Sequence, residues 1–154
     1  DETGPNPTDR AKSGSKRRVW VNQRGAPLSV HITSADAHDV TAILNLLNRP
    51  IVRRPKPKYN VHHLCADKAY DSEPLRTKLR QRKFTPHIRK REYDSDPPPP
   101  LEAQKHPARR WVVERTNAWH NRFRALLIRW ERRGTNYLAV LDLACAMIAL
   151  RHTT

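Results

Sequence analysis

The sequence predicts one α/β domain with the element order β-β-α-β-α-β-α-α. Its length of 154 residues suits a single domain and is enough to bury a sizeable core. Short runs rich in β-branched residues alternate with runs whose apolar residues recur every three or four positions. The longest periodic run, residues 111–133, is the helix around which we expect the other elements to be organised.

The amino-terminal part predicts a loop followed by a hairpin. Residues 1–15 contain Gly, Pro, Asn and Ser without apolar periodicity, which is typical of a loop. Two short β-favouring runs follow, Lys16–Val21 and Pro27–Thr33, and both place Val or Ile at alternate positions. The five residues between them include Gly25, which suits a turn that needs positive φ. These features predict an antiparallel hairpin.

The middle of the chain predicts a helix, a loop and a buried strand. Apolar residues from 40 to 48 lie on one helical face, with Asp39 as the expected N-cap. The basic, proline-rich stretch 49–60 excludes a helix or an inner strand, so we expect an exposed loop there. The compact run 61–66 is short enough for a buried strand and ends directly at Asp67.

A second helix and a short strand are predicted next. The helix extends to about Arg82, and Asp71 or Ser72 is expected to cap it. Phe84–Ile88 is a short strand that its proline restricts to an edge position. Residues 89–110 contain many charges and four consecutive prolines, which predicts an irregular insertion.

Two helices are expected at the carboxyl end. In residues 111–133 one helical face is apolar and is predicted to be buried, and it comprises Val112, Trp119, Phe123, Leu126, Leu127 and Trp130. Glu114 points away from that face. Gly134 is predicted to end this helix, and an apolar helix follows over 135–151. The resulting layout is a loop over 1–15, a core over 16–133 and a carboxyl-terminal helix.

Composition narrows the choice of partner. Lys and Arg number 30 against 15 Asp and Glu, which gives a formal charge of +15 and indicates a polyanion such as nucleic acid. No run approaches the roughly 18 apolar residues that span a bilayer, so we expect no membrane partner. Cys65 and Cys145 lie in apolar runs and are predicted to be buried thiols in a reducing, cytoplasmic compartment.

Two acids are placed where a metal site could form. Asp67 follows a strand and Glu114 lies early in a later helix, so carboxylates from separate elements could converge. Two or three such groups bind a pair of Mg²⁺ ions in phosphoryl transfer, with Lys and Arg holding the anionic substrate. An Asp after a strand is also an ordinary cap residue, and an early Glu is also favoured by the helix dipole. Position alone leaves both interpretations open.

Three segments resemble a known family. LCADKAYDSEPLRTKLRQRKFTPHI is similar to the ADKGYDS segment of DDE transposases of bacterial insertion sequences. RRWVVERTNAWHNRFRALLIRWERR looks like their glutamate-bearing RWVVERT helix, and GPNPTDRAKSGSK resembles their TGPNPTDRGKxGxK segment. The likeness covers residues 3–151.

The resemblance implies a ribonuclease-H-like core that cleaves and joins DNA at transposon ends and targets in the bacterial cytoplasm. Asp67 matches the second catalytic acid and Glu114 the third, both as ligands of two Mg²⁺ or Mn²⁺ ions. Arg115 and Arg122 match positions that would face DNA or support the carboxylates. We also assign Lys68 to DNA binding, and Arg129 because the basic run that contains it favours DNA contact over a solvated face.

The chain also departs from the family pattern. The first catalytic acid lies on a strand upstream of the TGPNPTDR segment, and this chain begins after that point, at Asp1. We therefore expect an amino-terminally truncated domain that lacks its first strand and does not cut DNA alone. The alternative function is a non-catalytic remnant that binds DNA or pairs with a full-length copy. Ala69 replaces the usual Gly, which we expect to be a mild change, and the oligomeric state is left open.

Overall fold

The computed structural model of the protein describes residues 3–6, 10, 12–51, 56, 61–90 and 110–152. It divides the chain into two compact units. The first combines Asp1–Val52 with Trp111–Thr154, and the second is Arg53–Arg110. Both contain helices and strands, which confirms the mixed α/β class; the ribonuclease-H-like arrangement of the strands stays a prediction.

The first unit contains an antiparallel sheet in the order β1-β2-β3. Its strands are β1 (Gly4–Pro5), β2 (Ser13–Val21) and β3 (Pro27–Ser34). The predicted β2–β3 hairpin is confirmed, although β2 begins three residues earlier than expected. The loop predicted over residues 1–15 is wrong at both pairing segments, because β1 pairs with the start of β2. Backbone groups make these bonds, and the side-chain pattern therefore carries no signal for them.

The hairpin turn is built by Asn22 and Gly25. The Asn22 Oδ1 accepts hydrogen bonds from the backbone N–H groups of Arg24 and Ala26 at 2.9 and 3.0 Å. Gly25 has φ +88°, as the turn prediction required. A Cβ at this glycine would also lie 3.2 Å from the Thr116 Oγ1, so the turn approaches the later helix closely. Thr116 donates to the Gly25 carbonyl at 2.7 Å.

Helix α1 (Asp39–Asn48) confirms the predicted helix and packs against β2 and β3. The N-cap residue is His38 and not Asp39, so the capping prediction is wrong by one position. Within the described residues the His38 side chain makes no capping bond. The helix is fixed from its other end, where the Leu46 carbonyl accepts a hydrogen bond from the buried Ser29 hydroxyl at 2.7 Å.

Residues 111–133 do not form the single helix that their periodicity predicts. The structure has α3 (Arg110–His120), a turn, α4 (Arg124–Leu127), an extended segment and then α5 (Gly134–Arg151). Gly134 thus begins a helix and does not end one. Phe123 and Ile128, on either side of α4, both have extended backbone angles.

The break decides which apolar residues are buried. Leu126 enters the core, where its carbonyl accepts a hydrogen bond from the Tyr137 hydroxyl at 3.1 Å. Leu127 and Trp130 are 59% and 72% exposed, so their prediction as buried residues is wrong. A continuous helix would have placed all of these residues on one face. The turn instead moves Leu126 against α5, and the two exposed residues leave the apolar stripe.

The core of the first unit lies between β3 and α5. Its buried members are Val30, Ile32, Leu126, Tyr137, Leu141, Ala144 and Cys145. Strand residues contribute alternate positions and helix residues contribute every third or fourth, which is the pattern of a sheet covered by one helix.

The second unit is a strand-helix-strand unit. Strand β4 (His62–Ala66) pairs in parallel with β5 (Phe84–Ile88), and α2 (Glu73–Gln81) connects them. A one-turn 3₁₀ helix, Lys68–Tyr70, lies between β4 and α2. These predictions are confirmed. Within the described residues β5 pairs with β4 alone, as expected for a strand that contains a proline. Most of the two predicted basic and proline-rich loops lies outside the described residues.

Candidate functional site

Asp67 stands where the predicted strand ends. It follows β4 directly, has extended backbone angles and is half-buried. Its Oδ1 accepts a hydrogen bond from the backbone N–H of Lys68 at 2.7 Å, so the side chain caps the 3₁₀ turn. The bond holds the carboxylate at the carboxyl end of the strand. Lys68, the next residue, is exposed.

The neighbouring acid, Asp71, has a structural role. Its carboxylate forms an ion pair with Arg76, whose side chain is buried. The same guanidinium donates to the Ile88 carbonyl at 2.9 Å, at the end of β5. Arg76 therefore ties α2 to both ends of the unit, and Asp71 neutralises a buried charge. Of these two acids, Asp71 is the one committed to the fold.

Glu114 lies in the second turn of α3, and it is exposed. The side of the helix that faces the core carries Val112, Thr116 and His120, which recur every four residues and are buried. The prediction that Glu114 is not a core residue is confirmed.

Arg115 is held between two indole rings. Its guanidinium carbon lies 4.8 Å from the ring centre of Trp111 and 5.0 Å from that of Trp119. Its Nη2 donates to the Arg24 carbonyl at 2.6 Å, which joins α3 to the hairpin turn. The sequence analysis did not assign a role to Trp111. The signal was present, because residues 111, 115 and 119 are spaced four apart on one helix.

The other predicted DNA-binding arginines differ in their surroundings. Arg122 is exposed and lies in the turn after α3, outside any helix. Arg129 donates to the carbonyls of Glu131 and Arg132 at 3.0 and 3.2 Å and packs 5.3 Å from the Tyr137 ring centre. Arg129 thus stabilises the extended segment before α5. The predicted spacing of seven no longer aligns these residues, because the helix is interrupted.

A metal site is not preformed in the part of the chain that the structure describes. No group of three or more His, Cys, Asp or Glu side chains comes together there. Carboxylate oxygens are the donors that Mg²⁺ prefers, so Asp67 and Glu114 have suitable chemistry, but their number is too small. Asp67 belongs to the second unit and Glu114 to the first, and their convergence on one metal stays a prediction.

The exposed face of the second unit carries two histidines that sequence analysis did not pair. The Nδ1 of His63 lies 2.7 Å from the Nε2 of His87, with the rings stacked 5.0 Å apart. The parallel register brings them together, since His63 is opposite the residue two before His87. Cys65 lies on β4 and is exposed, so its prediction as a buried thiol is wrong. The direction of an alternating strand side chain depends on which face is covered.

The buried thiol of Cys145 was predicted correctly. It lies 3.3 Å from the Nε2 of His120, and both side chains are in the core of the first unit. Burial raises the pKa of Cys145 to about 12, and the carboxylate of Asp142 adds to the effect. Burial also lowers the pKa of His120 to about 4, with a smaller contribution from the positive charge of Arg17. Both groups are therefore neutral at physiological pH.

The architecture defines a strongly basic α/β protein with two surface-placed acids at framework positions. Residues 2–149 match the family model described as the transposase DDE domain. The chain belongs to the DDE transposases of insertion sequences, as its motifs indicated.

One relative strengthens this assignment. The chain is 43% identical over 152 residues to a Burkholderia cepacia protein that carries the name of a transposase for insertion sequence element IS402. The match covers 96% of this chain and 68% of the relative. No solved structure matches the chain significantly.

Proposed function

We propose that this chain contributes two catalytic acids, Asp67 and Glu114, to metal-dependent phosphoryl transfer on DNA. The reaction is strand cleavage at transposon ends followed by joining to target DNA. One observation carries the proposal: in a chain of this family, both acids lie on rigid elements outside the core, whereas Asp71 beside them is used in an internal ion pair. Acids on a rigid framework can hold reacting groups in place.

The proposed metal ligands are these two carboxylates together with a further acid. Two Mg²⁺ or Mn²⁺ ions, when bound, activate the attacking oxygen and stabilise the leaving oxygen. Asp67 is oriented by the Lys68 N–H at 2.7 Å, so its carboxylate is presented at the end of β4. Glu114 is positioned by α3, which Arg115 anchors to the hairpin turn.

Positive charge supplies the DNA affinity in this proposal. Lys68 and Arg122 are exposed and are suited to contact phosphates. Arg115 and Arg129 make intramolecular bonds, so we propose that they support the site and add to its positive potential. The formal charge of +15 favours binding of transposon ends and target DNA with little sequence preference. Such a function places the protein at the nucleoid in the bacterial cytoplasm.

A second candidate function is DNA binding without cleavage. It is favoured by the finding that the described residues contain no cluster of three metal-ligating side chains. Two acids leave one ion of a pair weakly held, and a small misplacement of a reacting group, about 1 Å, can cost about 10²-fold in rate. Under this candidate the chain binds DNA in the same salt-dependent way and does not nick it.

Binding and chemistry can be tested on the same samples. Affinity for duplex DNA, followed by fluorescence anisotropy, is expected to fall by about 10³-fold or more between about 0.05 and 0.2 M salt. Replacing Arg122 and Lys68 by Gln is expected to reduce the salt slope by about one per lost phosphate contact. A dissociation constant that does not change with salt would contradict the electrostatic interpretation.

Mn²⁺-dependent nicking of transposon-end DNA then distinguishes the two candidates. Nicking that Asp67→Asn and Glu114→Gln each abolish supports catalysis by these acids. Asp36→Asn is the matched control, because Asp36 is an exposed acid to which we assign no role. Salt-dependent binding without nicking supports the second candidate, and nicking that survives Glu114→Gln would remove that residue from the proposed site.

A further inference from the structure

Helix α5 is apolar on two faces, and only one of them is covered. The inner face packs into the core through Tyr137, Leu141, Ala144, Cys145 and Ile148. The outer face presents Ala139, Leu143, Ala146, Met147 and Leu150, which all lie within one side of the helix. Leu143, Met147 and Leu150 are 63%, 43% and 69% exposed.

The near absence of charge on this helix is unusual for the chain. Charged residues make up 29% of the sequence, so 18 residues would carry about five. Only Asp142 and Arg151 are charged in α5. Single exposed leucines are ordinary, but a continuous apolar stripe without a charged residue in it is typical of a contact surface.

We infer that the outer face of α5 pairs with the same face of a second copy, in an antiparallel arrangement about a twofold axis. The stripe alternates small and large residues in the order Ala139, Leu143, Ala146, Leu150. In an antiparallel pair centred near residues 144 and 145, Leu143 lies over Ala146 of the second copy and Leu150 lies over Ala139. The face is thus complementary to itself, as a twofold contact requires.

The size and charge of this surface set the strength of the pair. An 18-residue helix is about 27 Å long, so contact along α5 alone falls in the class of small interfaces, below about 1,200 Å². We therefore expect a weak dimer, with a dissociation constant in the micromolar range. Each copy carries +15, and the pairing face contributes almost none of it. Salt screens the repulsion between the copies, so higher salt strengthens the pair.

A membrane is the other apolar environment that α5 could enter. By length and composition this helix is able to span one, although the core helix of a soluble protein passes the same criterion. The inner face of α5 packs on β3, where Val30 and Ile32 belong to the same core cluster. Insertion into a bilayer would remove that helix from the core. Pairing with a second copy leaves the core intact and covers only the outer face.

Sedimentation velocity of the whole chain, without DNA, tests the inference. The weight-average mass should rise from monomer to dimer over the micromolar concentration range and should rise further at high salt. Replacing Leu143 and Leu150 by Gln is expected to weaken the dimer at least tenfold. Leu127→Gln is the matched control, because Leu127 is exposed to a similar degree, 59%, but lies outside α5. A monomer at all concentrations overturns the inference, as does equal weakening by the control.

Ala146→Leu separates a specific pair from general apolar association. The substitution enlarges the apolar surface, so non-specific association or binding to phosphatidylcholine vesicles would become stronger. In the antiparallel pair the added atoms occupy the space that Leu143 of the second copy needs, and dimerisation should weaken at least tenfold. Stronger self-association, or vesicle binding by the unmodified chain, overturns the inference. The inference does not rest on the proposed function, because these measurements contain no DNA and no metal.

Discussion

The buried His120 makes the stability of the first unit sensitive to mild acid. Its side chain is 0% exposed, its Nε2 lies 3.3 Å from the Cys145 sulfur, and its buried Nδ1 has no hydrogen-bond partner in the described part of the chain. Burial is the main reason that the pKa falls from 6.5 to about 4, and the charge of Arg17 is the second. A protonated imidazole has no carboxylate partner here, so the folded state excludes the proton.

The sign and size of the effect follow from these two pKa values. Between pH 6.5 and about 4 the unfolded chain binds a proton at His120 that the folded chain does not, so stability falls as the pH falls. The contribution is fully present above pH 6.5. The difference of about 2.5 pH units corresponds to about 3 kcal/mol at pH 4, and about 2 kcal/mol of it is already lost at pH 5.

Urea denaturation followed by circular dichroism between pH 7.5 and 5 measures this loss, in a range where most carboxylates remain ionised. The unmodified chain should lose about 2 kcal/mol of unfolding free energy. His120→Phe should remove most of this dependence, because it replaces the titrating group by an apolar ring of similar size. His38→Gln, at an exposed position, should retain it. Equal pH dependence in His120→Phe and the unmodified chain would refute the reasoning.

Two further predictions concern single positions. Cys65 should react rapidly with a thiol reagent such as Ellman's reagent, whereas Cys145 should react only on unfolding, because it is buried and its pKa is raised to about 12. The raised pKa also means that this thiol removes stability as the pH increases from 9 towards 12, which alkaline urea titrations would detect. Gly25→Ala should destabilise the chain by about 1–2 kcal/mol or more in urea denaturation, because φ is +88° and a Cβ would lie 3.1 Å from the Arg115 guanidinium. Gly14→Ala, whose Cβ would meet Ala35 at an ordinary 3.6 Å, should change stability by no more than about 0.5 kcal/mol; equal losses in the two variants would contradict this account.

Local chemistry was sufficient for the hairpin and for the strand-helix-strand unit. Asn22 and Gly25 satisfy the requirements of a tight turn, and the flanking β-branched residues alternate with period two, so the β2–β3 pair could be predicted. The run that ends at Asp67 is short, apolar and followed by a helix start, which places this acid at the end of β4. The positions of both proposed acids on their elements follow from short-range patterns of this kind, and motif resemblance supplied their proposed role.

Long-range packing decided what periodicity could not. Residues 111–133 have helical spacing throughout, but the turn after His120 is formed because Leu126 gains a buried position against Tyr137 of α5. Once that turn forms, Trp130 loses its place on the buried stripe and becomes exposed.

The same distinction separates the two faces of α5 and the two cysteines. Composition shows that α5 is apolar almost all round, whereas only the packing of β3 on one side determines that Leu141 is covered and Leu143 is exposed. Cys65 and Cys145 both lie in apolar runs, yet the covered face of each element decides which thiol is buried. Secondary structure follows from interactions between residues close in the chain, and burial depends on contacts with residues more than a hundred positions away, such as those of Val30 and Ile32 with α5.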